Sequence, residues 1–227
     1  MNAQVALRCH LFEVRNHRGG WFLIFGFDAL LSDAQTQNKQ RKIARETAHL
    51  PGAMEAAIPY YRTLIRQHHA AMLAADLKQA MALREEAHLL AVKLNGGSRH
   101  GIISVVDENA PGHVLTREAA SPEGAIPLWG QDGAFDIEVA GVGVRIEIGG
   151  MFGIGAGVAF WPGFSAHAID PNRPFITETG YRSFLGVQAA PQPGFTPDSF
   201  AAKVIESYVR TACKGALVEV DPSNMRV

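Results

Sequence analysis

Two residues in the second half of the chain have the side-chain types that acid–base chemistry requires. His167 and Asp170 lie three residues apart at the edge of a predicted turn, close in sequence to the aromatic residues Trp161 and Phe164. A carboxylate can hold an imidazole in one tautomer, as a general base needs. The same spacing is also typical of an ordinary hydrogen-bonded turn, so a catalytic and a structural role both stay open.

Two acidic residues of a predicted hairpin form the second candidate. Asp136 lies before a glycine-containing turn and Glu147 after it, each alternating with apolar neighbours. Pairing Val139 with Val144 places the two carboxylates opposite each other on the polar face of the hairpin, where like charges destabilise a sheet. Such a pair can bind a divalent cation or share a proton. The alternative is that both carboxylates are solvated and offset by Arg145.

A glycine-rich run over residues 149–163 allows close backbone approach to a phosphate. The dinucleotide fingerprint is not met, because Val158 stands where the third glycine is needed and Pro162 follows where a helix should continue. The run therefore predicts tight backbone packing or a bent strand. Ser165 does not lie in a nucleophile elbow, because His167 replaces the second glycine of that motif.

The helical part of the sequence holds a further pattern. Glu85 and His88 have the Glu-x-x-His spacing of di-iron helical bundles, which also need carboxylates on facing helices. His68 and His69, on the preceding predicted helix, are the residues available to complete such a site. The simpler interpretation is a solvent-exposed helical surface that carries Arg84 and His88. We predict no cofactor and no bound metal.

The overall charge gives no general attraction to nucleic acid or to an anionic membrane. The 227 residues contain 21 Lys and Arg against 22 Asp and Glu, a net charge of −1. Residues 39–45 form a short basic stretch, and such a stretch is usually one solvated face of a helix. Nucleic-acid binding by residues 38–66 therefore stands only as a third hypothesis.

Cysteine use and the longest uncharged stretch bear on the cellular setting. Cys9 and Cys213 are far apart and outside any CxxC pattern, which argues against a disulfide scaffold and favours a reducing cytoplasm. Residues 148–169 lack charged side chains apart from the titratable His167, but their glycines make a poor helix. We predict a buried sheet segment there, no membrane span and no signal peptide.

Hydrophobic periodicity predicts the elements that position these side chains. Apolar spacings of three and four predict a helical hairpin over residues 54–95, in which Asp76 caps the second helix. Residues 35–49 predict an exposed helix or a loose arm, and Thr196 followed by Pro197 predicts the start of a C-terminal helix. Alternation and turn residues predict strands at 4–14, 21–31, 114–116, 135–139, 144–148, 181–188 and 216–220.

Four short motifs resemble those of a family of uncharacterised proteins encoded on bacterial plasmids and integrative elements. They are the runs 127–131 (PLWGQ), 144–147 (VRIE), 160–167 (FWPGFSAH) and 178–186 (ETGYRSFLG). The resemblance extends over about residues 60–220. It implies an origin in the bacterial accessory genome and a cytoplasmic setting, and it names no catalytic residue.

These observations predict an α+β fold in which a helical hairpin and a C-terminal helix pack on a mostly antiparallel sheet. The predicted parts are an N-terminal hairpin (1–33), a helical segment (34–97) and a β-rich domain (98–227). We expect an exposed share of the aromatic residues to mark a surface for a protein partner or a second copy. That aromatic group is Trp129, Phe152, Phe160, Trp161 and Phe164.

The sequence leaves two main hypotheses for function, and catalysis stays open between them. The first is a non-catalytic binding protein of a bacterial accessory system. The second is a metal-dependent hydrolase that uses His167, Asp170, Asp136 and Glu147 as a cluster of histidine and carboxylates.

Overall fold

The structure is a computed structural model that describes residues 27–104, 106–153, 155–221 and 223, with side chains from residue 34 onward. The chain divides into two compact units, Met1–Arg45 and Glu46–Val227. Helix α1, Phe27–Glu46, belongs to the first unit except for its last residue, and its residues 34–42 are exposed, as predicted.

Most of the predicted N-terminal hairpin lies outside the described residues. Residues 27–33 begin α1 instead of forming part of a strand or a turn. The sequence FDALLSD holds no β-branched residue and contains the strong helix formers Ala and Leu, which favour a helix over a strand.

The second unit has the predicted α+β fold, and its described helices and strands follow one another in chain order. They are α2 (Met54–Leu73), α3 (Leu77–Leu94), α4 (Pro111–Glu118), β1 (Asp132–Val139), β2 (Val142–Gly149), β3 (Phe164–Ala168), β4 (Tyr181–Phe184) and α5 (Pro197–Thr211). The strands form an antiparallel sheet in the order β1-β2-β3-β4. None of the described helices has the length and apolar character needed to cross a membrane.

Helices α2 and α3 form the predicted helical hairpin, and α5 begins where predicted. Asp76 caps α3 by accepting a hydrogen bond from the backbone N–H of Gln79 at 3.0 Å. Thr196 and Ser199 form a capping box at the start of α5. Helix α5 packs on one face of the sheet, where its Phe200 ring lies 6.1 Å from the ring of Phe164 on β3. We call the other face the open face.

The β1–β2 hairpin has a different register from the predicted one. Val139 pairs with Val142, so the predicted pairing of Val139 with Val144 is wrong by two residues. The cause is the turn, because Ala140 and Gly141 both have positive φ, 54° and 77°. Two such residues form the tight loop whose twist matches the strands on either side.

The predicted faces of the hairpin are confirmed despite this shift. Phe135 and Ile148 are buried, whereas Asp136 and Glu147 are exposed. A register shift of two residues keeps each side chain on its own face, whereas a shift of one would have exchanged the faces.

Three of the other predicted strands differ in the structure. Residues 114–116 lie inside α4, because Pro111 at the first position favours the start of a helix. Strand β4 ends at Phe184, four residues before the predicted end, where the chain turns through a glycine with positive φ. The closing strand is reduced to one bridge between Val218 and Phe175.

The glycine-rich run after β2 does not continue as a strand. It begins with a 3-10 turn at Gly150–Phe152 and folds back on itself. A Cβ atom added to Gly149 would lie 2.8 Å from the Cα atom of Gly153, so the two backbone segments touch. The predicted tight backbone packing is confirmed, and larger residues would separate these segments.

Arg84 on α3 is fully buried and binds the backbone of this glycine-rich run. Its Nη1 atom donates to the carbonyl oxygens of Ala156 at 2.9 Å and Ala159 at 2.6 Å, and its Nη2 atom donates to that of Phe160 at 2.7 Å. Its Nε atom donates to Nε2 of His68 at 2.8 Å. We call this set of hydrogen bonds the Arg84 network. The prediction that Arg84 lies on an exposed helical surface is wrong.

Two consecutive histidines of α2 hold the loop that precedes β1. Nδ1–H of His68 donates to the carbonyl oxygen of Trp129 at 2.9 Å, and the backbone N–H of Trp129 donates to Nδ1 of His69 at 3.1 Å. Gly130 must be a glycine here, because its φ is 88° and an added Cβ atom would lie 2.7 Å from Nδ1 of His68. Both histidines therefore have structural hydrogen bonds.

Burial fixes the charge states within the Arg84 network. Burial, and then the positive charge of Arg84, lower the pKa of His68 to about 4. Burial also lowers the pKa of Arg84 to about 10, so its guanidinium stays charged at neutral pH. A neutral His68 can accept from Arg84 at Nε2 while it donates from Nδ1, which is the tautomer that both hydrogen bonds require.

Substitution of Arg84 should destabilise the fold strongly. Arg84→Met removes the donors to three backbone carbonyls and leaves Nε2 of His68 without its partner. Each orphaned buried group costs about 1–3 kcal/mol, so we expect the free energy of unfolding in urea to fall by at least about 3 kcal/mol. Lys78→Met, at an exposed position of the same helix, is the control, with an expected change below about 0.5 kcal/mol. Equal effects of the two substitutions would contradict the network.

Acidification should weaken the fold through His68. The pKa of the imidazole is near 6.5 in the unfolded chain and about 4 in the folded one. The stability that the neutral His68 contributes is therefore complete above pH 6.5 and is lost as the pH falls toward 4. The total loss is about 3 kcal/mol. We expect His68→Gln to lose less stability than the wild type between pH 7 and pH 4 in urea unfolding. The exposed control His100→Gln should behave like the wild type, and identical pH dependence in all three proteins would refute the assignment.

Candidate functional site

Three of the four residues predicted to carry catalysis lie on the open face of the sheet. The register aligns Asp136, Arg145, His167 and Tyr181 in one row across the four strands. Glu147 lies on the same face in the next row, opposite Ser165. The row therefore places a carboxylate, a guanidinium, an imidazole and a phenol side by side on a half-exposed surface.

The structure brings Glu147 and His167 together and separates the other two residues. Oε2 of Glu147 lies 3.4 Å from Nε2 of His167, although their orientation does not make a hydrogen bond. Asp136 instead faces Arg145, with Oδ1 3.6 Å from Nη1. Asp170 accepts a hydrogen bond from the backbone N–H of Asn172 at 2.9 Å, which is the turn arrangement considered above. A catalytic role for these residues stays a prediction.

Asp132 is a further acidic residue of the open face. The predicted register did not place it near Glu147. It lies diagonally across from Glu147, and both side chains line a cavity of about 420 Å³ with Ser165 and several glycines of the run after β2. Burial, and then the nearby charge of Glu147, raise the pKa of Asp132. Within the described part of the chain, no group of three or more His, Cys, Asp or Glu side chains could hold a metal ion.

A larger concave site lies on the opposite side of the sheet, beside α5. We call it the α5 groove; its volume is about 450 Å³, and it lies between α5, the end of β4 and the loop before α5. Its apolar walls are formed by Trp161, Phe184, Phe195, Phe200, Val204 and Tyr208. Pockets that bind small molecules have this range of volume and this mainly apolar, aromatic lining.

Stacked aromatic rings form the floor of the α5 groove. The rings of Trp161 and Phe200 are stacked at 4.6 Å, and the ring of Trp129 contacts both, with centres 5.8 Å and 5.5 Å away. Nε1–H of Trp129 donates to the carbonyl oxygen of Phe195 at 2.7 Å, which fixes the loop that forms one wall. The histidines that hold the Trp129 backbone therefore also position the floor of the groove.

The aromatic group expected to be partly exposed is instead mostly buried. Trp129, Phe160, Trp161 and Phe164 are each at most 8% exposed, and only Phe152 is half-buried. Of this group, Trp161 alone lines the α5 groove. Apolar side chains from other elements complete the groove.

The sequence contained part of the signal for the α5 groove. Phe200, Val204 and Tyr208 recur every four residues, as the predicted inward face of this helix requires. In the structure Phe200 is buried, whereas Val204 and Tyr208 are half-buried and line the groove. The proline-containing stretch 190–194 is the second indication of a groove, because a stiff loop cannot collapse onto the helix and close it. Which loop lies opposite α5 depends on long-range packing and could not be predicted.

Comparison with known proteins shows a similarity to one protein family. Residues 132–216, which contain all four strands and α5, match the family described as the KlcB third domain. Two curated proteins of Escherichia coli, both named Protein KlcB, are 34% identical over 182 residues and 32% identical over 189 residues.

These matches cover most of the length of this chain but a smaller share of the length of its relatives. The two alignments include 79% and 83% of the chain, against 37% and 45% of the curated proteins, so the chain spans less than half the length of the relatives it matches. No solved structure matches it. The chain is therefore similar to Protein KlcB over most of its length, and residues 132–216 match the KlcB third domain.

Proposed function

We propose that this chain is a non-catalytic binding protein of a bacterial accessory system and that it binds its ligand in the α5 groove. The observation that carries the proposal is the preformed apolar cavity of about 450 Å³ beside α5. Its floor is held by the aromatic stack and its loop wall by the hydrogen bond from Trp129. A rigid, preformed site loses little conformational entropy when a ligand binds.

Several features support the wider setting of this proposal. The four sequence motifs, which resemble those of proteins encoded on bacterial plasmids and integrative elements, support a role in a mobile genetic element. The sparse cysteines support a cytoplasmic location. The proposal also includes a protein partner or a second copy of the chain. The half-exposed charges of the open face supply a polar surface for that contact.

Indole, a neutral aromatic probe, tests whether the groove binds ligands. We expect indole to shift the backbone amide resonances of α5 and residues 187–190 in an NMR titration. Val204→Trp fills the groove with an apolar side chain and should abolish these shifts, whereas Glu206→Trp, at an exposed position of the same helix, should preserve them. Indole shifts that are absent, or that survive Val204→Trp, would refute the groove as the site.

The second candidate function is the metal-dependent hydrolase, and the 3.4 Å approach of Glu147 to His167 favours it. The binding proposal predicts that hydrolysis of p-nitrophenyl esters or phosphates with added Mn²⁺ or Zn²⁺ stays at the rate of buffer alone. It also predicts that Glu147→Gln and His167→Gln leave indole binding unchanged. Metal-dependent turnover that falls about 100-fold or more in Glu147→Gln would instead support the hydrolase.

A further inference from the structure

Two cationic residues line the rim of the α5 groove, and one of them has no acidic partner among the described residues. Lys203 and Arg210 are exposed side chains that line its rim, and among the described residues no Asp or Glu side chain lines it. Lys203 has a carboxylate neighbour on its own helix, Glu206, at 4.0 Å. No described carboxylate forms an ion pair with Arg210. The rim therefore has positive potential toward a ligand.

Arg182 is a third cation; it is not among the residues that line the groove, but it contacts two of them. It lies on the α5 side of β4, with Cζ 4.7 Å from the centre of the Tyr208 ring and 6.0 Å from that of Phe184. Both rings line the groove. A guanidinium that stacks on an aromatic ring keeps the hydrogen-bond donors along its edge available.

The guanidinium of Arg182 lacks the carboxylate partner that some other arginines of this unit have. Its Nε atom is buried and has no hydrogen-bond partner, and no carboxylate in the described part of the chain pairs with it. By contrast, Arg145 on the open face has Asp136 at 3.6 Å, and Arg99 has Glu85 at 3.1 Å. A buried donor without a partner is costly, and an anion bound beside it would lower that cost.

From these observations we infer that the natural ligand of the α5 groove is a small carboxylic acid with an aromatic or branched apolar body. This inference rests on the proposed function and adds the chemical class of the ligand. The apolar body lies on the Trp161–Phe200 floor, and the carboxylate lies on the side of Arg182 and Arg210. A planar, bidentate guanidinium–carboxylate contact is stronger and more directional than a contact with an ammonium group.

Three probes with the same ring separate the ligand class from the existence of the site. Indole is neutral, indole-3-acetate carries a carboxylate, and tryptamine carries an ammonium group. We expect calorimetric titration to show indole-3-acetate binding at least about tenfold more tightly than tryptamine, with an advantage that shrinks as salt increases. If indole binds but the two charged probes have equal affinity, the ligand class is wrong and the groove proposal survives. If none of the three binds, both proposals fail.

Two charge substitutions test the arginines directly. Arg182→Gln should weaken indole-3-acetate binding about tenfold or more and leave the affinity for indole unchanged. Arg210→Gln should weaken the binding of indole-3-acetate by a smaller factor. Arg145→Gln removes the same charge from the open face and should change neither affinity. Because Arg182 also packs on two rings, the melting temperature of each variant is measured alongside.

Unchanged carboxylate affinity in folded Arg182→Gln would overturn the inference. It would also be overturned if indole dissociated a dimer of the chain in light scattering, because a second copy would then be the occupant of the groove.

Discussion

A buried positive charge that has no carboxylate partner among the described residues constrains the second unit of this chain. The Arg84 guanidinium lies in the core and is stabilised by three carbonyl dipoles and one neutral imidazole. A buried charge is strongly unfavourable unless its hydrogen bonds are made. The glycine-rich run must therefore fold around Arg84, with its carbonyls turned inward, and α2 must place His68 beside the guanidinium.

The remaining architecture follows from this arrangement through Trp129. His68 contacts Arg84 with one ring nitrogen and the Trp129 carbonyl with the other, so the network continues into the loop before β1. Trp129 then supports Trp161 and Phe200, which form the floor of the α5 groove. The sheet consequently has two different faces. On the open face Arg145 is paired with an acid, whereas on the α5 side Arg182 is stacked on aromatic rings without one.

Local sequence patterns predicted the elements better than their pairing. The helical hairpin, the capped start of α5 and the two faces of β1–β2 follow from periodicity and capping, which depend on neighbours in the chain. The predicted register was wrong because a two-residue turn and a four-residue turn leave the same side chains on the same faces. The hydrophobic pattern alone does not distinguish the two turns. That error concealed Asp132 next to Glu147. Arg84 was missed because an arginine on an amphipathic helix is normally exposed, and the carbonyls that bind it come from more than 70 residues away.

The Arg84 network has a consequence for any attempt to divide the chain. It joins α2 and α3 to the backbone after β2, across the boundary predicted at residue 97. A fragment that ended there would keep the guanidinium but lose all three carbonyls, and a fragment that began there would keep the carbonyls without their donor. Shuffling of gene segments among relatives would therefore preserve α2, α3 and the glycine-rich run as one inherited block, even though the predicted boundary lies between the helical hairpin and the sheet.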